Sequence, residues 1–405
     1  RKNKAMFKLS EGKIEVLHKG EENSFLERLI QAVIQLKGAF ALWRLPNTDS
    51  KHLIINLSGI QFPEKFNLEE SFPGFAVSSF DGKKYFIKAD LEWTNEGNSL
   101  TINPTFQENE KIQQLIQLMS EDTPPTLSFP KRSIHFTDYK KEDYLNYVQD
   151  CVNTIQQGVI QKIVPSRYKK IELPEDLNIL SVFGTLSNSY PNAFVSVTSS
   201  EEFGTWVGAT PEILVSTENN QIFKTISLAG TQPLNRDIEL RNVSWTQKEI
   251  EEQALVSRYI INCFKKIRLR EFDEYGPKTA IAGNLMHLKT TFTVDMEDTN
   301  FPQLGTVMLD LLHPTSAVCG MPLKEARDFI HEHETFDRSL FAGFLGPVNI
   351  KNCSYLFVNL RCMELIDSHA ILYAGAGVTI DSIPEQEWEE TEIKMNTLLN
   401  IIHKA

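Results

Sequence analysis

Runs of strand-like residues follow one another before any long helix begins, and this order most constrains the fold. Ala193 to Thr198, Thr205 to Gly208 and Ile213 to Ser216 come in succession, and a helical pattern then occupies about Thr246 to Ile267. Further strand-like runs lie at Tyr355 to Leu365 and Ala370 to Ala374, before a closing helix from about Pro384 to Ile402. Blocks of strands with helices set apart from them indicate an α+β protein with large sheets. Upstream, Phe40 to Leu45, Leu53 to Leu57, Gly74 to Ser79 and Lys84 to Ile87 read as short strands broken by turn residues, and carry no chemical motif. Thr123-Pro124-Pro125-Thr126 reads as a link between this region and the rest of the chain. Tyr144, Tyr147, Val148, Cys151, Val152 and Ile155 then recur at helical spacing, in a helix expected to end at Gly158.

Charge and cysteine content narrow the function. Lys plus Arg number 41 against 53 Asp plus Glu, a net charge of −12. Nucleic-acid binding is excluded as an expectation, because phosphate contacts require clustered basic residues. With 41% hydrophobic and 23% charged residues the chain can bury a large core. The five cysteines, Cys151, Cys263, Cys319, Cys353 and Cys362, contain no C-x-x-C pair, so neither a disulfide framework nor a zinc site is expected. No apolar stretch approaches the roughly 18 residues of a membrane span. A cytoplasmic enzyme is the expectation.

Several groupings could carry chemistry. Val159 to Leu173 reads as a strand in which Ile160, Lys162, Val164 and Ser166 share one face, with Pro165 marking an edge or bulge. Lys162 would either snorkel to water or lose proton affinity by burial and serve as a base. Glu249 with Glu252, and Glu387 with Glu390, form E-x-x-E pairs that each present two carboxylates on one helix face. Were the helices to meet, a cation such as Mg²⁺ would be the natural counter-ion; otherwise both are ordinary solvated faces. Gly375-Ala376-Gly377 follows a strand-like run and either opens backbone N–H groups to an anion or simply turns the chain. Lys394, four residues after Glu390, is either its helix partner or an anion clamp. His331-Glu332-His333-Glu334 lacks H-E-x-x-H spacing and reads as solvated.

Taken in order, the motifs resemble the chorismate-utilising enzymes: isochorismate synthases, salicylate synthases, anthranilate synthase large subunits and aminodeoxychorismate synthases. The matching stretches are Lys162-Ile163-Val164-Pro165-Ser166-Arg167, Gly208-Ala209-Thr210-Pro211-Glu212, Leu228-Ala229-Gly230-Thr231 and Lys248 to Glu252. His287-Leu288, Leu312-His313-Pro314-Thr315, Phe336-Asp337-Arg338, Arg361-Cys362, Gly375-Ala376-Gly377 and Trp388-Glu389-Glu390-Thr391 complete them, from about residue 140 to 402. The resemblance implies large antiparallel sheets packed with outer helices, residues 1–130 being a divergent part of the same fold and 131–405 the chorismate-binding catalytic portion. It implies Lys162 as the base that activates water for attack at C2 of chorismate, and Glu212 as the acid that protonates the departing C4 hydroxyl. Glu252 and Glu390 are the implied direct Mg²⁺ ligands, with Glu249 and Glu387 acting through water. Gly230, Thr231, His287, Phe341, Arg361, Gly375, Ala376, Gly377 and Lys394 are the implied substrate contacts.

Within the resemblance, Ala229 stands where aminodeoxychorismate synthases place a lysine, and Lys162 is absent from ammonia-using anthranilate synthases; both are disfavoured. Ala317 and Phe341 resemble the isochorismate-synthase choices, while Leu360 leans towards salicylate synthase. A non-catalytic chorismate-binding protein is the rival from another class. Pro165 replaces the usual aliphatic residue, and Ile250-Glu251 replaces a basic, His-containing pair beside the implied metal ligands. The expectation is therefore a Mg²⁺-dependent isochorismate synthase, monomeric, needing no glutaminase partner and serving menaquinone or siderophore formation according to the enzymes downstream.

Overall fold

A computed structural model describes residues 7–17, 22–97 and 99–404. Two large antiparallel sheets dominate it, one of eleven strands and one of eight. The eleven-stranded sheet runs from the edge strand Phe7–Ser10 to the opposite edge Ser166–Glu172, with Ala39–Arg44 and Phe194–Ser200 paired at its centre. The eight-stranded sheet places Gly74–Ser78 beside Phe344–Val348 and ends on a long hairpin, Asp273–Ala282 with Leu285–Asp295. Strands from the N-terminal third thus pair directly with strands from the last third in the smaller sheet, and share the larger sheet with them.

Strand alternation sends one set of apolar side chains between the sheets and the other beneath the helices. Phe194 of the larger sheet stacks on Phe357 of the smaller at 4.1 Å between ring centroids. On the other face of the larger sheet, helices Glu22–Gln35, Lys111–Met119, Ile179–Ser189 and Pro384–Ile402 cover Leu42, Leu53, Val195 and Leu372. Asn178 caps the third of these, its side chain accepting from the N–H groups of Leu180 and Ser181. Among the described residues, no helix is long and apolar enough to cross a membrane.

Of the chain segments that pass from one sheet to the other, two lie side by side. Gly204–Thr210 belongs to the larger sheet and Ile213–Glu218 to the smaller, so Pro211 and Glu212 make the passage. Ser354–Val358 and Cys362–Ile366 make it in reverse, through Asn359 to Arg361. The passages bond to each other: Val358 N–H donates to the Glu212 carbonyl at 2.9 Å, Ala209 N–H to the Arg361 carbonyl at 3.0 Å, and Thr210 Oγ1 to the Val358 carbonyl at 2.6 Å. The single strand expected over Tyr355 to Leu365 is therefore two strands in different sheets, broken where Arg361 adopts a φ of 51°. Val159 to Leu173 likewise divides at Pro165, into Lys162–Ile163, which pairs with Gly320–Met321, and Ser166–Glu172.

Candidate active site

Beside the two passages lies a partly open cavity of about 50 Å³. Glu212 and Arg361 line it from the passages, and His287, Leu228, Ala229, Gly230 and Thr231 from the neighbouring strands of the smaller sheet. Gly375, Gly377 and Lys394 come from the last strand and the closing helix, Glu252 from helix Gln247–Lys266, and Phe341 from the loop before Phe344–Val348. Ala317 and Leu360, which distinguish members of the resembled group, line it as well.

The cationic end is built in layers. His287 Nδ1 lies 2.6 Å from the Gly230 carbonyl, which can only accept, so Nδ1 carries the proton and Nε2 is the acceptor. Arg361 Nη2 donates to that Nε2 at 3.2 Å. Burial, reinforced by Arg361 and Lys394, lowers the His287 pKa to about 3, which keeps the ring neutral and in this tautomer. Burial also lowers Arg361 to about 10, still a cation at neutral pH. Lys394 Nζ donates to the Gly375 carbonyl at 2.8 Å and to Glu390 Oε2 at 3.1 Å. Ala376 differs from its expected place in an anion cradle, since its N–H is spent on the Pro165 carbonyl at 3.3 Å and its side chain is not part of the wall.

Acid and base candidates are shifted in opposite directions. Burial raises the Glu212 pKa to about 7, against the pull of Arg361, Lys162 and Lys394. Lys162 is fully buried, and burial pushes it below the ordinary lysine range despite Glu252. Its Nζ lies 3.3 Å from Glu252 Oε1 and has no hydrogen-bond partner. It does not snorkel, and stands one layer behind the wall: a Cβ on Gly377 would fall 2.0 Å from Glu252 Oε1 and 3.0 Å from Lys162 Cε. A side chain at Gly377 would therefore have to displace the Glu252 carboxylate and press on Lys162.

The two E-x-x-E helices do meet. Glu249, Glu387 and Glu390 line an opening next to the cavity, and Glu252 faces the cavity. Lys248, not singled out from sequence, sits among them with Nζ 3.0 Å from Glu387 Oε1 and 3.8 Å from Glu252 Oε2. Although burial opposes it, Glu252, Glu390 and Glu387 raise the Lys248 pKa. Burial and Glu390 raise Glu387 to about 7, and its Oε2 is buried without a partner. Glu390 is held below the usual carboxylate range, burial being outweighed by Lys394 and Lys248. Glu249 instead closes a capping box, its Oε2 accepting from Thr246 N–H at 2.8 Å. Among the described residues, no group of three or more His, Cys, Asp or Glu stands arranged to hold a metal. Ile250 and Glu251 are exposed, so that departure lies on the solvent side of the helix, away from the cluster.

One expectation is corrected outright. Glu334 is held in the interior by bonds rather than solvated: it accepts from Arg338 Nε and Nη2 at 2.6 Å each, from Tyr147 Oη at 3.0 Å and from Ser166 N–H at 3.1 Å. Glu334 lies past the end of helix Leu323–His333, so its pairing with Arg338 is not a helical contact and left no periodic signal in the sequence. His331 and Glu332 remain exposed.

A cavity with a raised carboxylic acid, a depressed amine and a cationic end has the groups of an acid–base site for a small anion. The chain belongs to the chorismate binding enzyme family, which matches residues 23–403. It is 32% identical to isochorismate synthase DhbC of Bacillus subtilis over 270 residues, 64% of this chain and 67% of that one. It is 29% identical to the vibriobactin-specific isochorismate synthase of Vibrio cholerae, over 64% of this chain and 66% of that protein's length. With isochorismate synthase MenF of Haemophilus influenzae it shares 27% identity over 90% of this chain and 88% of that one. MenF of Escherichia coli, the menaquinone-specific isochorismate synthase, has the same fold, with a TM-score of 0.73 at 20% identity over 96% and 94% of the two chains. Anthranilate synthase component I of Streptococcus pneumoniae shares it at a TM-score of 0.64 and 18% identity, over 89% and 92%. The family and the antiparallel α+β fold expected from the motifs are those found.

Proposed function

We propose that this protein is an isochorismate synthase, converting chorismate reversibly to isochorismate by adding water at C2 and losing the C4 hydroxyl. The observation that carries the reading is the opposed shift of two buried groups, Glu212 upwards to about 7 and Lys162 downwards. Loss of hydroxide needs a proton donor, and a carboxyl with a pKa near 7 is still substantially protonated at neutral pH. Removal of a proton from water needs a neutral amine, which burial favours at Lys162. Arg361, held by His287, and Lys394 balance the negative charge of a dianionic substrate. The sequence relatives named isochorismate synthase support the same activity.

Mg²⁺ fits the donor set. Glu387 Oε2 is a buried oxygen without a partner, on the opening that Glu249 and Glu390 also line. Glu252 and Glu390 would hold the ion directly, and Glu249 and Glu387 through water; when bound, it would fix the ring carboxylate of the substrate. We further assign the protein to the cytoplasm, as a monomer acting without a glutaminase partner. Its five free thiols, four of them buried, agree with a reducing compartment.

The test is to incubate the purified protein with chorismate, with and without Mg²⁺, and resolve the products by chromatography. A Mg²⁺-dependent mixture of chorismate and isochorismate is expected, and Lys162→Ala should abolish it while leaving the fold intact. Salicylate with equimolar pyruvate would replace this reading by salicylate synthase, the alternative that Leu360 in the cavity wall favours. Chorismate bound but unchanged would make the protein a non-catalytic binder.

A further inference from the structure

Ser166 lines the cavity but belongs neither to the acid–base pair nor to the acidic cluster. The residue is 1% exposed, and its Oγ is buried without a hydrogen-bond partner. A buried hydroxyl left unpaired is unfavourable, and such a group beside a binding cavity requires an explanation. The backbone around it is fixed: Ser166 N–H donates to Glu334 Oε2 at 3.1 Å, and Arg338 Nη2 donates to the Val164 carbonyl at 2.8 Å. Across the sheet Ser166 pairs with Gly375, and a Cβ on that glycine would lie 2.4 Å from Ser166 Oγ. The hydroxyl therefore occupies the space that a side chain at Gly375 would take. The Gly375 carbonyl is in turn held by Lys394, at the cationic end of the cavity.

We propose that Ser166 is a substrate-contacting residue whose hydroxyl donates a hydrogen bond to a carboxylate oxygen of the substrate side chain, beside Lys394 and Arg361. The assignment rests on the isochorismate synthase reading for the identity of the substrate. A hydroxyl proton can turn towards whichever acceptor arrives, and a serine with no partner in the fold has that freedom. The arrangement also explains why the position carries a polar group in a wall otherwise formed nearby by Val164, Tyr373 and Ala374.

The test compares wild type with Ser166→Ala in two measurements: KM and kcat for chorismate, with the dissociation constant of chorismate by calorimetry, and the thermal midpoint without substrate. KM and the dissociation constant are expected to rise about ten- to a hundredfold, the effect of losing a hydrogen bond to a charged group. The midpoint is expected to stay level or rise, because alanine removes an unpaired polar atom and leaves the Glu334 contact to the backbone. Values of KM and dissociation constant within twofold of wild type would overturn the assignment, whether the hydroxyl is then engaged by solvent or by the fold. A lowered midpoint with unchanged binding would identify a structural hydroxyl and overturn it equally. If wild type neither binds nor converts chorismate, the functional reading falls and this inference with it; if wild type converts it and the variant matches, only this inference falls.

Discussion

Arg361 Nη2 donates to His287 Nε2 across 3.2 Å, so a neutral imidazole holds a guanidinium at the cavity wall. Because the ring nitrogen facing Arg361 must accept, protonation of His287 would break the contact. With a pKa lowered to about 3, the ring stays neutral throughout the range in which the protein is used. His287→Ala should raise KM for chorismate by about tenfold or more while changing kcat less, since it frees Arg361 without removing acid or base. Steady-state kinetics at neutral pH check this; a fall in kcat alone would instead give His287 a part in the chemistry.

Glu212 gives stability a definite dependence on pH. Its folded pKa of about 7 lies above the ordinary 4.5, so the native state holds the proton more tightly than the unfolded chain. The contribution favouring the fold is complete below about 4.5 and is lost as pH rises through about 7. Glu212→Gln should therefore be more stable than wild type at about pH 8 by on the order of 3 kcal/mol and close to it at about pH 4. Urea unfolding in EDTA at both values measures the difference. Activity, which needs the protonated acid, should decline above about pH 7 in the wild type.

Lys248 serves as the counter-ion of the acidic cluster, 3.0 Å from Glu387. Lys248→Met should lower the thermal midpoint in EDTA, since removing one partner of a largely buried pair costs about 3 kcal/mol. Millimolar Mg²⁺ should restore much of that loss, and should stabilise the variant more than it does wild type. A midpoint that ignores Mg²⁺ in both proteins would count against the assignment of the four glutamates to a cation.

Gly377→Ala should eliminate turnover. The added Cβ would meet Glu252 Oε1 at 2.0 Å, a distance no rotation of the methyl can relieve, and would press on Lys162 Cε at 3.0 Å. A calorimetric titration with chorismate separates loss of binding from loss of chemistry, and wild-type turnover in this variant would show that Glu252 is free to move away.

Much of this architecture is legible in the sequence where periodicity is long. The helices Gln247–Lys266 and Pro384–Ile402 fall within a residue of where their patterns place them, and the strands around Phe40, Ile54, Val77 and Phe86 are present. The long strands Ile222–Pro233 and Leu285–Asp295 carry no such clear signal. The first is buried on both faces over much of its length, which erases alternation; the second does alternate from Leu288 to Val294, but with Thr290, Thr291 and Thr293 supplying both faces its apolar contrast is weak. Breaks at Pro165 and Arg361 divide runs that read as continuous, and a positive φ at arginine leaves no mark in composition. The motifs locate the site, but Lys248 within the acidic cluster and Glu334 beneath Ser166 depend on contacts between elements far apart in the chain.

The bonded pair of passages has a consequence for how the molecule comes apart. Glu212 and Arg361 ride on segments whose amides, Val358 and Ala209, are each tied to the other passage. Each bond prolongs the pairing within one sheet, and the Thr210 hydroxyl on the Val358 carbonyl ties the two ladder ends together in the buried interior, so neither amide should exchange by local fraying. Hydrogen exchange at Val358 and Ala209 should thus proceed at the rate set by global unfolding. Acid and anion clamp then persist as long as any native molecule does, and heat should remove activity and fold in a single transition.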